Sequence, residues 1–313
     1  MKKSILIVLL SALLALPSCA PAREEGARLT VVCTTYPIYL FASSLAEGVE
    51  GVAVERLDTG SVSCLHDYSL SMEDMKKLER ADVIALNGAE LEEFLEDALE
   101  TSDAAVIDCS AGVELLEGLS HHHDGDEHDD HGHWDPHYWM DPANARTMAA
   151  NLRNSLVLLD PDHAAEYENN AVKTRKILLQ VEETAQELLE QYLPQGGPGL
   201  ITFHDGFQYF ARAFDLPLLA AIEEEAGSEA SAHEIVEITE LVKEHGIPVI
   251  FTEVNGSDAT ANAIARETGC RVAQLTMIMD GPDSDLETYC SGITGNLEAI
   301  LSGFYGREAE DHL

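Results

Sequence analysis

The sequence predicts an α/β protein of two lobes, each a (β/α)4-type unit with a parallel sheet, joined by a long rigid backbone helix. Three observations carry this expectation. From Leu29 onward, short apolar runs rich in β-branched residues alternate with amphipathic helical stretches, which marks βα units. The same rhythm returns after residue 199. Between the two stretches helical spacing runs unbroken from Pro161 to Tyr192. At 1.5 Å per residue such a helix spans roughly 48 Å, a stiff spacer that argues against wide opening and closing.

In the first lobe Leu29–Thr34, Val52–Leu57, Asp82–Leu86 and Ala104–Ile107 read as strands, with helices at Ile38–Ala46, Met72–Arg80 and Leu91–Glu100. Ser71 and Asp74 have the spacing of a capping box. Asp160 and Pro161 read as the cap and first turn of the long helix. In the second lobe the strands are Leu200–Phe203, Leu218–Ile222, Pro248–Thr252 and Arg271–Gln274, separated by helices at Gly206–Phe214, Ala232–His245 and Ala259–Thr268. The expected organisation is an N-terminal lobe at 29–142, a helical linker at 143–198 containing the helix 161–192, and a C-terminal lobe at 199–313.

Charge excludes one class of partner. The 313 residues hold 18 Lys and Arg against 57 Asp and Glu, a formal net charge of -39. With no basic stripe, the phosphate neutralisation that drives nucleic-acid binding is missing, so no nucleic acid is expected.

At the N-terminus Lys2 and Lys3 precede an apolar run from Ile5 to Leu16, too short to span a bilayer and shaped like a secretory signal. Leu16-Pro17-Ser18-Cys19 resembles the lipobox of bacterial lipoproteins. That resemblance implies a signal peptide at 1–18, a lipid anchor to the membrane at Cys19 and a tether at 19–28. Five further cysteines remain: Cys33, Cys64, Cys109, Cys270 and Cys290. Cys270 with Cys290 is the first pairing to test, and burial as small apolar side chains is the alternative.

One low-complexity insertion, 119–134, sets His121, His122, His123, His128, His131 and His133 among Asp, Glu and Gly. Its composition cannot build a packed core, and its histidines suit weak capture of metal.

Ligands of open α/β sheets sit beyond the carboxyl ends of the strands. There the sequence places His66 in Cys64-Leu65-His66-Asp67, His137 in Asp135-Pro136-His137-Tyr138, His204 in His204-Asp205-Gly206, and Asp280 in Met279-Asp280-Gly281. A single histidine at a strand end usually serves as a structural hydrogen-bonding group. Three imidazoles and a carboxylate converging from both lobes point instead to a divalent metal. Asp283, Asp285, Glu253 or water are alternatives for the fourth position, and Glu253 could also support a ligand from behind. Asp67, Asp135, Asp141 and Asp205 are candidates to orient the imidazoles, although Asp141 before Pro142 reads better as a helix cap.

The segments CLHDYSLSMEDMKKLERADVIALNGAELEEFLEDAL, DPHYWMDPANARTMAANL and ITFHDGFQYFARAFDL resemble the metal-specific solute-binding proteins of ABC importers for zinc and manganese. The resemblance covers nearly the whole chain after the leader. It implies that His66, His137, His204 and Asp280 are the metal ligands, with an ABC permease and its ATPase subunit as partners of a monomeric carrier. Leu65 stands where the family usually has Pro. A histidine at the third position and the acidic His-rich loop resemble the zinc-type members, so Zn²⁺ is the expected cargo, with Mn²⁺ the alternative; harder oxygen ligands favour manganese.

A zinc hydrolase is the rival reading. Catalytic zinc keeps an open position for water, whereas four protein ligands close the shell. His233-Glu234 lacks the second histidine of a metalloprotease helix, and GxSxG, P-loop and GxGxxG motifs are absent. No enzymatic activity is therefore expected. An adhesin would need an exposed interaction module, which the sequence does not offer.

Overall fold

The computed structural model describes residues 27–59, 68–119, 133–193, 197–223, 232–254 and 256–306. Within them lie two parallel four-stranded sheets, one per lobe. The first contains β1 (Leu29–Cys33), β2 (Val52–Arg56), β3 (Val83–Leu86) and β4 (Ala105–Asp108) in the order β2-β1-β3-β4. The second contains β5 (Leu200–His204), β6 (Leu218–Glu223), β7 (Val249–Glu253) and β8 (Arg271–Leu275) in the order β6-β5-β7-β8. The two orders are the same, so each lobe has a topological switch point between its first and third strands. A crevice opens there beyond the carboxyl ends. β1, β5 and β7 are buried along their whole length, as their unbroken apolar runs require.

The helices are α1 (Tyr36–Ala46), α2 (Met72–Arg80), α3 (Glu96–Glu100), α4 (Pro142–Leu159), α5 (Ala164–Tyr192), α6 (Gln208–Ala213), α7 (Ala232–His245), α8 (Ala259–Thr268) and α9 (Leu286–Tyr305). Two of the expected caps are present. The Ser71 hydroxyl accepts from Asp74 N while the Asp74 carboxylate accepts from Ser71 N, and Asp141 accepts from Ala143 N at 2.7 Å to start α4.

Several expectations need correction. The helix expected at 91–100 is a 3-10 turn (Glu93–Leu95) followed by the five-residue α3. Gly88, Ala89 and Glu90 all have positive φ, and the Glu92 side chain turns inward to accept from Asn87 N and Gly88 N, which delays the regular helix. The long helix begins at Ala164 rather than Pro161, after a 3-10 turn at Pro161–His163. Asp160 does not cap it. Its carboxylate takes both Arg28 Nη atoms at 2.7 and 2.8 Å and the Tyr167 hydroxyl at 2.9 Å, leaving the first turn to tighten. Cys270 and Cys290 are free thiols, as are Cys33 and Cys109, so that disulfide is not formed; Cys64 lies outside the described residues.

α5 holds the lobes together from behind. Near its start Asn170 Nδ2 donates to the carbonyls of Leu45 and Glu47, the end of α1, and at its far end the Tyr305 hydroxyl of α9 donates to Tyr192 O. α9, which the sequence analysis leaves out, is capped by Asp285 and buries Leu286, Tyr289, Ile293, Leu297 and Ile300. One hydrophobic cluster runs from Val31 and Phe41 through Leu178 and Val181 to Tyr289 and Leu297, so the lobes share a core. Phe41 and Tyr289 meet across it edge to face, 5.2 Å between centroids.

Candidate metal centre

His204 is the last residue of β5 and Glu253 the last of β7, so both stand at the switch point of the second sheet. Their position follows from the largely apolar, β-branched runs LITF and VIFT, which bury each strand up to its first titratable side chain. His137 arrives from the opposite lobe on the turn after the His-rich loop. Three contacts hold that turn. Asn87 Nδ2 donates to Pro136 O at 3.0 Å, the Tyr138 hydroxyl donates to Asn87 O, and the Tyr209 hydroxyl of α6 donates to Asp135 O at 2.9 Å.

The two imidazoles are buried and meet tip to tip, with His204 Nε2 3.1 Å from His137 Nε2 and ring planes at 86°. Two nitrogen ligands at about 2.0–2.1 Å from a tetrahedral zinc ion stand about 3.3 Å apart. The observed separation is within a few tenths of an ångström of that. Trp139 packs on the His137 ring, 5.2 Å between centroids.

Behind His137, Asp135 Oδ1 lies 2.8 Å from Nδ1 and 2.9 Å from the His137 backbone N–H, and Gln208 Nε2 donates to Oδ2 at 3.1 Å. This network assigns the hydrogen of His137 to Nδ1 and leaves Nε2 a lone pair. The hydrogen between the two rings then belongs to His204 Nε2, and a metal held between the rings would require the other neutral tautomer of His204, with its hydrogen on Nδ1. Burial pushes the Asp135 carboxyl up to about 7, opposed by its hydrogen bonds from His137 N and Gln208. A cation on the far side of His137 would draw it back toward the carboxylate.

Asp280 projects from the segment after β8, and its side chain is half exposed. Arg56, at the end of β2 in the first lobe, donates through Nη2 to Asp280 Oδ1 and to Gly281 O, each at 3.0 Å. Arg56 also lies over the Tyr36 ring, 4.6 Å from its centroid. Arg56, Glu253, Thr276, Met277, Met279 and Asp280 line a cavity of about 480 Å³ between the lobes. Met277 on its wall and the His204 ring both crowd Gly206, where a β-carbon would strike Met277 Cε and His204 Cδ2.

The structure therefore brings His137 and His204 together. Among the described residues, no group of three or more His, Cys, Asp or Glu side chains is arranged to hold an ion, and the Asp280 carboxylate is engaged by Arg56. His66 lies outside the described residues, as do Cys19, His121, His122, His123, His128, His131 and Asp67. The two ends of its segment are held: the buried Thr59 hydroxyl donates to Thr34 O, and the Tyr68 hydroxyl to Asp74 at 2.6 Å. His133 is on the surface, against Trp134 and 3.6 Å from Glu117. Asp283 accepts from Asp285 N and the Thr288 hydroxyl, and Asp285 caps α9, so both serve the start of that helix. Asp205 accepts from Leu119 N at 2.8 Å. Sequence reasoning missed Arg56, Tyr36 and Gln208; the placement of Arg56 at the carboxyl end of a strand in so acidic a chain was the available signal for the first.

Among the described residues no helix is long and apolar enough to cross a membrane. The chain is 28% identical over 309 residues to the zinc-binding lipoprotein AdcA of Streptococcus pneumoniae, covering 96% of this chain and 60% of that one. It thus spans about three fifths of the length of that curated relative. It is 26% identical to the manganese ABC transporter substrate-binding lipoprotein PsaA of Streptococcus anginosus, covering 96% and 98%. Among solved structures, the laminin-binding protein Lmb of Streptococcus agalactiae, described as bifunctional with adhesin and metal transporting activity, superposes with a TM-score of 0.74 at 26% identity, covering 88% and 99%. The sequence profile of the ZnuA family, zinc-uptake complex component A, periplasmic, matches residues 31–303. With its paired four-stranded lobes and the long helix behind them, the chain belongs to the ZnuA family.

Proposed function

We propose that this chain is the extracytoplasmic solute-binding component of an ABC importer, which captures Zn²⁺ between its lobes and passes it to a membrane permease driven by an ATPase subunit. The single observation that carries the reading is the pair of buried imidazoles from opposite lobes, with Nε2 atoms 3.1 Å apart. His66 and Asp280 complete the shell in this reading. Zinc suits a site of three nitrogens and one oxygen better than manganese does, and at nitrogen sites it also binds more tightly. The zinc-binding relative supports that choice, while the manganese relative keeps Mn²⁺ as the competitor to be measured.

The chemistry asked of the protein is binding and release. His137 is held in the tautomer that offers Nε2, His204 moves its hydrogen from Nε2 to Nδ1 on loading, and the buried rings exclude water from the nitrogen side. Four protein ligands leave no open position for an activated water, which favours carriage over hydrolysis. Lipid on Cys19 would keep the carrier beside its permease, and the acidic chain would raise local cation concentration without conferring selectivity. The His-rich loop adds weak sites near the cleft.

Calorimetric titration of the protein lacking residues 1–18 tests the reading. His66→Ala, His137→Ala and His204→Ala should each abolish the tight zinc phase, and retention of that phase in all three rejects the site. Deleting 120–133 should remove the weak sites and leave one tight site. Loss of the tight phase on that deletion would make the loop the true source of ligands. Zinc and manganese in direct competition decide the cargo.

A further inference from the structure

Arg56 touches the proposed fourth ligand from the other lobe. Its Nη2 reaches both Asp280 Oδ1 and Gly281 O at 3.0 Å, and its guanidinium carbon lies 4.6 Å from the Tyr36 centroid and 5.8 Å from that of Tyr39. The Tyr36 hydroxyl in turn donates to Asp283 O at 3.0 Å. The 280–283 segment is thus clamped against β2 and α1. Gly281 is required there, because a β-carbon would overlap the Tyr36 hydroxyl. The Asp280 carboxylate is engaged by Arg56 and forms no three-ligand cluster with the imidazole pair among the described residues.

We propose that Arg56 is the counter-ion that competes with the metal for Asp280: in the empty cleft it holds the carboxylate, and on loading Asp280 exchanges the guanidinium for the ion. This rests on the reading of Asp280 as a ligand. Physically, a carboxylate with no cation beside it would repel other acids in so acidic a molecule, and a fixed guanidinium removes that cost until the metal arrives. The pair is easy to leave. The Asp280 side chain is 51% exposed and that of Arg56 29%, so water screens the attraction. The Arg56 Nη1 atom is buried with no hydrogen-bond partner among the described residues, so the guanidinium is only partly satisfied by the clamp. The stacking on Tyr36 does not involve Asp280, so Arg56 stays in place and retakes the carboxylate when the ion departs. Arg56 is in this sense a positioning residue that sets affinity and release.

The test is zinc affinity and dissociation rate for Arg56→Met and Arg56→Lys, measured by competition with a fluorescent chelator. Arg56→Met should bind zinc about two- to fivefold more tightly, the scale of a half-exposed ion pair, mainly through slower dissociation. Arg56→Lys should stay near wild type. The gain in Arg56→Met should shrink as salt is added, because salt already screens the competing pair in the wild type; a purely structural role would not produce that dependence. Weaker or unchanged binding by Arg56→Met overturns the proposal. Should the variant fail to fold, a structure of the zinc-loaded wild type decides: Asp280 released from Arg56 supports the exchange, and Arg56 Nη2 still hydrogen-bonded to it refutes the exchange. Asp280→Ala separates the two layers. If it leaves zinc affinity unchanged, the ligand reading itself fails; if it weakens binding while Arg56→Met does not tighten it, only the exchange fails.

Discussion

Replacing Asp135 with Asn probes the proposed metal centre without touching a proposed ligand. The carboxylate accepts three hydrogen bonds, from His137 Nδ1 at 2.8 Å, His137 N at 2.9 Å and Gln208 Nε2 at 3.1 Å. An amide offers one acceptor oxygen and one donor nitrogen in their place. If the oxygen faces His137, the nitrogen meets the Gln208 amide, which can rotate to suit. If the nitrogen faces His137, it donates to Nδ1 and forces the hydrogen to Nε2, the atom that the proposed site offers to the metal. Either arrangement weakens the tautomer lock. Partners of this kind typically contribute 10- to 100-fold in metal affinity, about 1.4–2.7 kcal/mol. The fold should suffer less, because an amide removes the cost of a buried charge whose pKa is already raised to about 7. The expected outcome at pH 8 is a zinc affinity lowered 10- to 100-fold in chelator competition, with a melting temperature in the absence of metal close to wild type. Unchanged affinity would refute the argument that Asp135 sets the state of His137.

Two further outcomes follow from the same geometry. Burial pushes the Glu92 carboxyl up to about 7 from 4.5, against hydrogen bonds from Thr34, Asn87 and Gly88. Its folded pKa is raised, so its contribution to stability is complete below about 4.5 and is lost as pH rises through about 7, by roughly 3 kcal/mol in all. Denaturant titrations of the metal-free protein across that window should show the loss, and Glu92→Gln should flatten it; an unchanged slope in the variant would place the pH dependence elsewhere. Small-angle scattering should give the same radius of gyration with and without zinc, and a clear shrinkage on loading would show that the lobes swing.

The sheets were legible because both βα patterns are complete: buried central strands give continuous apolar runs, and all eight strands fall within a residue or two of their expected ends. What was not legible depended on side chains leaving their local role. Asp160 and Pro161 have the look of a helix start, yet Arg28, far away in sequence, takes the carboxylate and the helix begins three residues later. Glu92 sits in a helical pattern but is pulled into the core by Thr34 and two backbone N–H groups. At the site, His137 and His204 could be found because they end apolar or turn segments at the carboxyl edge of a sheet. Asp280 was placed by its position after the last strand and by resemblance, and nothing local in Met279-Asp280-Gly281 foretold that Arg56 would reach it from the other lobe. Contacts between lobes are tertiary facts with no periodic signature.

The same contacts bear on how the proposed carrier would let its cargo go. Four fully buried aromatic residues tie the lobes: the Trp139 indole donates to Met277 O, the Tyr289 hydroxyl to Trp139 O, the Tyr209 hydroxyl to Asp135 O and the Tyr36 hydroxyl to Asp283 O. Each ring buries about 150–250 Å², and exposing even half of that on all four would cost about 8–12 kcal/mol at about 25 cal/mol/Å². That is as large as the whole stability of a typical domain, about 5–15 kcal/mol. A hinge motion that separated the lobes would therefore approach unfolding in cost. The half-exposed Arg56–Asp280 pair lies outside this buried set and costs little to rearrange. On the proposed reading, loading and release would accordingly be local events at the cleft, in which a carboxylate changes partner while the aromatic ties stay closed, and a permease would need to act only on the rim that bears Asp280.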